Sequence, residues 1–277
     1  MKKHTLQTLK IFSFTLLLLF TIQCSNSVKA EFILVEKNAI PYTSKQIDNN
    51  NNVYKNIEKK ISKSFLNALI NNSYQDFDNL LDSLNTTNSE SHLNLKNYWK
   101  SYLIYNKALA YLIQKEDDKA KKLLQEAMDI LEKQKNKNSE DYALLSLIKS
   151  INMKYLDNTA KVISEGKLIK KYCDFSIKLQ ENNIRPYFVK ASLDFYTPEK
   201  YGGGKDVEKL LLKAISLNEQ IRPNPYLPSW GKDQSYEMLI NYYIRKDRIE
   251  EAKKYYKEAI LIYPDSYTIK ELATKLI

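Results

Sequence analysis

Two stretches of this chain carry alanines seven residues apart behind a stripe of large side chains, and that spacing admits one kind of object: two helices packed back to back. In 230–265 the stripe is Tyr236, Leu239 and Tyr243, the alanines are Ala252 and Ala259 with Tyr256 between them, and Pro264 closes the unit. Seven residues is two helical turns, so both alanines lie on one face, and a methyl side chain lets the neighbouring helix come close. The stripe on the first helix fills the space over them. The frame recurs upstream at Ile104, Ala108, Tyr111, Ala120, Leu124 and Ala127. In both copies the step from the last aromatic of the first segment to the first alanine is nine residues, as in Tyr111 to Ala120 and Tyr243 to Ala252. A weaker third copy places Val207, Leu211 and Ala214 on a second helix, behind a first helix around Pro186 to Tyr196. Composition agrees: 277 residues hold only five glycines, and no proline lies between Pro41 and Pro186, which leaves little room for a turn-rich β fold. Almost no strand is expected.

These frames resemble the tetratricopeptide repeat. Counting Asp233 as the first place, the last copy matches that family's pattern except at the eighth, where Ile240 stands for a small residue; looser packing is expected at that crossing. The resemblance covers 98–133 and 230–265, and the offsets between copies are not multiples of 34, so the repeats are interrupted. It implies an all-α fold, a right-handed α-α superhelix of antiparallel helix hairpins, with a concave groove lined by the first helix of each pair. Carried over, the groove places are Tyr102, Tyr105, Leu109, Leu112 and Ile113 in one copy and Gln234, Glu237, Asn241, Ile244 and Arg245 in the other. If a further helix covers Leu109, Leu112 and Ile113, they are core instead. Repeats of this family that capture a carboxylate terminus use lysine at the fifth place and asparagine at the ninth; Asn241 fits, and Glu237 has the opposite sign.

Three segments are expected. Residues 1–30 read as a signal peptide: Lys2, Lys3 and Lys10 precede an apolar run from Ile11 to Ile22, and Val28 and Ala30 offer small residues for cleavage. Cys24 gives an alternative, a lipid anchor, although Gln23 stands where a small residue is usual. Residues 31–52, with Pro41 and the run Asn49 to Asn52, read as an extended tether, and 53–277 as the repeat domain. The leader holds four lysines and no acid, so its removal takes the charge from +10 to +6, 39 basic residues against 33 acidic. Those charges interleave, as in Glu250-Glu251-Ala252-Lys253-Lys254, which describes a solvated helix surface and not the one-sided stripe nucleic acid requires. No membrane span is expected in the mature chain. Helices are expected at about 53–70, 74–84, 94–133 as a pair, 139–154, 158–182, 184–219 as a pair with an insertion, a final hairpin, and a terminal helix to 277.

Two places exceed scaffold. Gly202, Gly203 and Gly204, followed by Lys205, sit between the helices of the middle repeat, where amides before a helix start could hold an anion. The bland alternative is a tight insertion that only glycine permits. Trp230 either stacks on a ligand or docks the proline-rich connection onto the last hairpin. Arg185, before Pro186, either clamps a carboxylate or holds a loop carbonyl. The segments around Asn183 to Tyr187, Tyr196 to Glu199 and Pro228 to Gly231 are similar to punctuation in a group of exported bacterial tetratricopeptide-like proteins, a likeness that implies no activity.

Catalytic material is scarce. After removal of the leader His92 and Cys173 are the sole histidine and cysteine, so a nitrogen–sulfur zinc site has no ligands, no internal disulfide can form, and a buried thiol is the plain reading of Cys173. No nucleophile elbow is present. Carboxylates are plentiful but no pair is singled out; an enzyme of that type would show two acids with raised pKa in a cleft. The expectation is an exported, non-enzymatic scaffold that needs no cofactor and binds a protein or peptide in its groove. The alternative is a small-ligand or glycan-binding accessory protein of the cell envelope.

Overall fold

The computed structural model describes residues 53–87, 93–219 and 224–276. The expected leader, tether, Cys24 and His92 lie outside the described residues. Eleven α-helices and no strand occur among the described residues. They are α1 (Ile57–Asn71), α2 (Gln75–Thr86), α3 (Leu93–Ile113), α4 (Asp117–Glu132), α5 (Ser139–Asn152), α6 (Thr159–Leu179), α7 (Ile184–Tyr196), α8 (Val207–Ser216), α9 (Lys232–Arg245), α10 (Ile249–Ile262) and α11 (Tyr267–Glu271). Consecutive helices pair as antiparallel hairpins, α3 with α4, α5 with α6, α7 with α8, α9 with α10. The first helices α1, α3, α5, α7 and α9 pack on one another in order, forming one layer, and the second helices form the other. This is an all-α, tetratricopeptide-like solenoid.

The alanine frame makes the hairpins. Ala120, Ala127, Ala214, Ala252 and Ala259 are fully buried, as are Ala108, Leu124, Leu211 and Leu239. Tyr236 and Tyr243 place their rings in the core and end on carboxylates: the Tyr236 hydroxyl donates to Glu258, and that of Tyr243 to Glu208 at 2.9 Å. Tyrosine suits the edge of a thin two-layer array, since its ring fills the space between helices while its hydroxyl reaches the rim. Ile240 is fully buried, so the large side chain at the eighth place is packed in the core. The interruption between repeats is smaller than the sequence spacing implies. The α5–α6 pair, which carries no alanine frame, packs as a hairpin like the others. Its start is set by a capping box: the Asn138 side chain accepts from the amides of Glu140 and Asp141, and Asp141 accepts from the Asn138 amide.

Curvature follows from one distance. Trp230, two residues before α9, stacks on Tyr102 of α3 with ring centroids 6.1 Å apart. Three first-helix steps separate α3 from α9, about 27 Å if the layer were flat, given ~8–10 Å between packed helices. Two residues of chain span at most ~7 Å. The layer is therefore bent away from flat, bringing the start of α9 back toward α3. No helix among the described residues is long and apolar enough to cross a membrane.

Candidate functional site

The inner surface is crossed by the chain itself. Residues 224–231, the proline-rich connection between α8 and α9, run as a strap over the first helices. The Asn56 amide at the start of α1 donates to the Pro225 carbonyl at 2.7 Å. Trp99 Nε1 donates to the Tyr226 carbonyl at 3.0 Å, and Glu58 accepts from the Ser229 amide at 2.7 Å and from its hydroxyl at 3.1 Å. Trp230, only 4% exposed, donates from Nε1 to the Tyr98 hydroxyl at 2.8 Å. The strap itself is turned, with the Leu227 amide donating to the Asn224 carbonyl at 3.2 Å, and side chains of the first helices hold its main chain at intervals.

Arg185 does both things the sequence allowed. Its guanidinium is 3% exposed, makes a two-pronged ion pair with Glu140 of α5, donates to the Trp230 carbonyl at 3.0 Å, and lies 5.7 Å from the Trp230 ring centroid. The carboxylate it clamps is internal. Asn183, the N-cap of α7, fixes the approach by accepting from the Arg185 amide and donating to Ser139 Oγ. Gly231, at φ 113°, clears the path: a Cβ there would stand 3.3 Å from side-chain carbons of Arg185 and Ile184. Trp230 is thus docked among Tyr98, Tyr102 and Arg185.

The glycine loop is spent on itself. The amides of Gly202, Gly203 and Gly204 donate to the carbonyls of Glu199, Pro198 and Asp194. A Cβ at Gly203 would sit 1.9 Å from the Thr197 carbonyl oxygen, so the turn closes only with glycine. Lys205 is exposed. Burial pushes the Cys173 thiol up to about 12, which leaves it a protonated core group.

The groove residues divide. Tyr102 and Tyr105 are nearly buried, Tyr102 beneath Trp230; Leu109 is half-buried against the core, and Leu112 is buried where α1 and α2 pack on α3. At the other end Arg245 is exposed, its guanidinium 3.6 Å from the Phe195 ring centroid and donating to the Phe195 carbonyl at 2.9 Å. Asn241 donates to the Glu237 carbonyl and accepts from Lys275 at 3.0 Å. The structure therefore brings Tyr102, Arg185 and Trp230 together under the strap, groups Glu237, Asn241 and Arg245 on α9, and leaves the glycine loop apart. Glu58 and Glu140 are the residues that sequence reasoning missed. Glu140 sits in the Asn138 capping box, which is legible; nothing marks Glu58.

Three acids around the inner surface have raised pKa. Burial pushes the Glu58 carboxyl up to about 7, opposed by the Ser229 hydrogen bonds and Arg185 and assisted slightly by Asp233. Asp233 and Glu237 on α9 are raised mainly by burial as well; backbone amides oppose this at Asp233, and Thr268 and Lys275 oppose it at Glu237. Because desolvation leads at each, and no hydrogen bond joins any two of them among the described residues, they are separately buried carboxylates and not a proton-sharing dyad. The Glu58 shift has a stability consequence. Its folded pKa lies above its ordinary 4.5, so its contribution is fully present below about 4.5 and lost as pH rises through about 7. The thermal midpoint is expected to fall between pH 5 and pH 8, and Glu58→Gln to flatten that slope; an unchanged slope in the variant would refute the assignment.

No group of three or more histidine, cysteine, aspartate or glutamate side chains among the described residues could hold a metal ion. No family profile and no curated protein matches the sequence. Among solved structures the chain is similar to YrrB, described as a tetratricopeptide-repeat protein with an unusual peptide-binding site, at 15% identity and a TM-score of 0.35, over 80% of this chain and 97% of that one.

Proposed function

We propose that this chain is an exported, non-enzymatic helical-repeat scaffold that binds a protein or peptide on its inner surface. One observation carries the reading: the first helices already hold a segment of irregular chain, the turn-containing residues 224–231, through side chains of Trp99, Glu58, Tyr98 and Arg185 directed at its backbone and its tryptophan. Side chains that grip main-chain groups and a tryptophan of non-helical chain in this way supply the kind of contact a bound peptide needs. The strap occupies the part over Tyr98 and Tyr102, and the part beside it, bordered by Tyr105, Tyr196, Glu237, Asn241 and Arg245, is where a partner engages. The polar groups that would suggest chemistry, Arg185 and Glu140, are spent on each other, which favours binding over catalysis. Export rests on the basic and apolar leader of residues 1–30, with cleavage after Ala30 in preference to lipidation at Cys24.

The test is affinity capture with the full chain and with a Glu237→Lys, Asn241→Ala variant, on cell-envelope extract, read by mass spectrometry. A protein enriched by the parent and lost by the variant supports the reading. Equal capture by both removes the α9 end of the inner surface from the binding site.

A further inference from the structure

We propose that the outward face of α1, at the end of the array, docks on an anionic phospholipid bilayer and lies in its surface. This face is apart from the inner surface, so the proposal does not rest on the peptide-binding reading.

The face begins with a spacing. Lys59, Lys63, Leu66 and Ile70 stand at i, i+4, i+7 and i+11, which draws one stripe along α1, and Lys55 continues it in the turn before the helix. All five are exposed. The stripe lies opposite the buried Ile57, Ile61, Ser64 and Ala68, so it looks away from the rest of the array. Leu66 is 56% exposed and Ile70 75%. One large apolar side chain in water is ordinary, but two on successive turns of a single stripe make a continuous apolar strip. The end repeat of a solenoid normally turns a polar face outward. This one does not.

The charge of the stripe is uncompensated. Lys55, Lys59 and Lys63 make no hydrogen bond or ion pair among the described residues. The acid of α1, Glu58, is turned inward onto Ser229. On α2, Asp76 accepts from Asn67 at 2.9 Å and Asp78 is paired with Lys107, while Asp82 stands ~160° round that helix from Leu80. The stripe therefore meets its surroundings as a row of free ammonium groups leading into an apolar strip.

A cleft borders it. Between α1 and α2 lies an open hollow of about 290 Å³ lined by Lys60, Lys63, Ser64, Asp76, Asn79 and Ser83. Lys63 belongs to both stripe and cleft. Ammonium, hydroxyl and amide groups at the mouth of a shallow hollow suit a phosphate headgroup lying beside Leu66 and Ile70.

Composition selects lipid over protein. Protein interfaces are enriched in aromatic residues and arginine and depleted of lysine, whereas attraction to anionic lipid grows with each lysine near the surface and needs no fixed partner geometry. Lysines next to leucine and isoleucine on one helix make up a segment that rests in the headgroup layer. A second copy of the chain fits poorly, because it would set one lysine stripe against another. Leu261, near the other end of the array, gives an internal comparison: it is 82% exposed, yet Lys257 and Glu258 beside it cancel in charge.

The experiment uses the full chain, with Ile70→Trp or Leu261→Trp as a local reporter, and vesicles of phosphatidylcholine and phosphatidylglycerol whose acyl chains carry bromine, which quenches tryptophan on contact. The parent's Trp99 and Trp230 are buried and provide the background. Attachment through residues 1–30 alone would leave both reporters unquenched, so the leader does not confuse the result. The fluorescence added at position 70 is expected to fall about twofold, and that added at 261 to hold. Replacing Lys55, Lys59 and Lys63 by glutamine should weaken the docking by about fivefold per lysine, on the order of a hundredfold together, and abolish the quenching. Vesicles of phosphatidylcholine alone, or salt at about 0.5 M, should do the same. Every substituted side chain is exposed, so the thermal midpoints should match the parent's and separate lost docking from lost folding. Equal quenching at 70 and 261 means indiscriminate adsorption and overturns the proposal, as does quenching that survives the glutamine substitutions. An unquenched reporter at 70 that shifts to the blue when lipid-free envelope protein is added also overturns it, making the face a protein-docking surface.

Discussion

Arg185→Ala is expected to lower the folding free energy by about 3–5 kcal/mol, the cost of leaving one member of a buried ion pair without its partner. Arg185 is 3% exposed and Glu140 9%, and their two-pronged pairing takes place where water cannot replace either side. The same change removes the donor to the Trp230 carbonyl, so the strap loses an anchor as well. Arg185→Lys should recover little, because a single ammonium cannot serve both carboxylate oxygens and the carbonyl in a planar fork. Replacing both partners, as in Arg185→Met with Glu140→Leu, should cost clearly less than Arg185→Ala alone, since no uncompensated charge then remains buried. Urea titration followed by circular dichroism measures all three. An Arg185→Ala cost below about 1 kcal/mol, the usual worth of a surface pair, would mean the pair is solvated.

Trp230→Ala is expected to cost a similar amount, about 3–5 kcal/mol, through loss of a large buried ring and the cavity it leaves over Tyr102. The Tyr98 hydroxyl also loses the indole donor at 2.8 Å. Trp230→Phe separates the two contributions. It keeps a ring to stack on Tyr102 and removes the indole donor to the Tyr98 hydroxyl, so it should cost about 1 kcal/mol, the net worth of one hydrogen bond. Limited proteolysis supplies a second readout: cleavage within 224–231 should appear in Trp230→Ala at protease levels that leave the parent intact. If that segment stays protected, the remaining contacts of Asn56, Trp99 and Glu58 hold the strap without its tryptophan.

Much of the scaffold was legible because a hairpin is a local object. The alanine pairs at Ala120 and Ala127 and at Ala252 and Ala259 had to lie under a neighbouring helix, and they are fully buried. The Asn158 and Asn183 caps mark the starts of α6 and α7 within a residue or two of the expected positions. The hairpin of α5 and α6 was harder, because it closes on leucines and a buried Ser139, Ser176 and Asn183 network with no repeated frame. The inner surface was not legible at all. Its curvature is the sum of small rotations between hairpins, and no short pattern encodes that sum. Tyr102 therefore reads as a groove residue until Trp230 is seen above it, and Glu58 reads as an ordinary first-turn acid until Ser229 arrives from 171 residues away. Trp230 and Arg185 stood out by their neighbours Pro228, Gly231 and Pro186; what they touch is a matter of the whole array.

Ser229 meeting Glu58 also decides when the first hairpin can be finished. In an open stack each pair is complete once its neighbour has formed, so folding can follow the chain as it emerges, amino end first. Here α1 is first out and gains its last contacts only after the far side of the strap has been made, a loop closure of long sequence separation and correspondingly slow. A chain that leaves its birthplace end-on would thus travel with its leading hairpin provisional, and locking would be the final act of arrival.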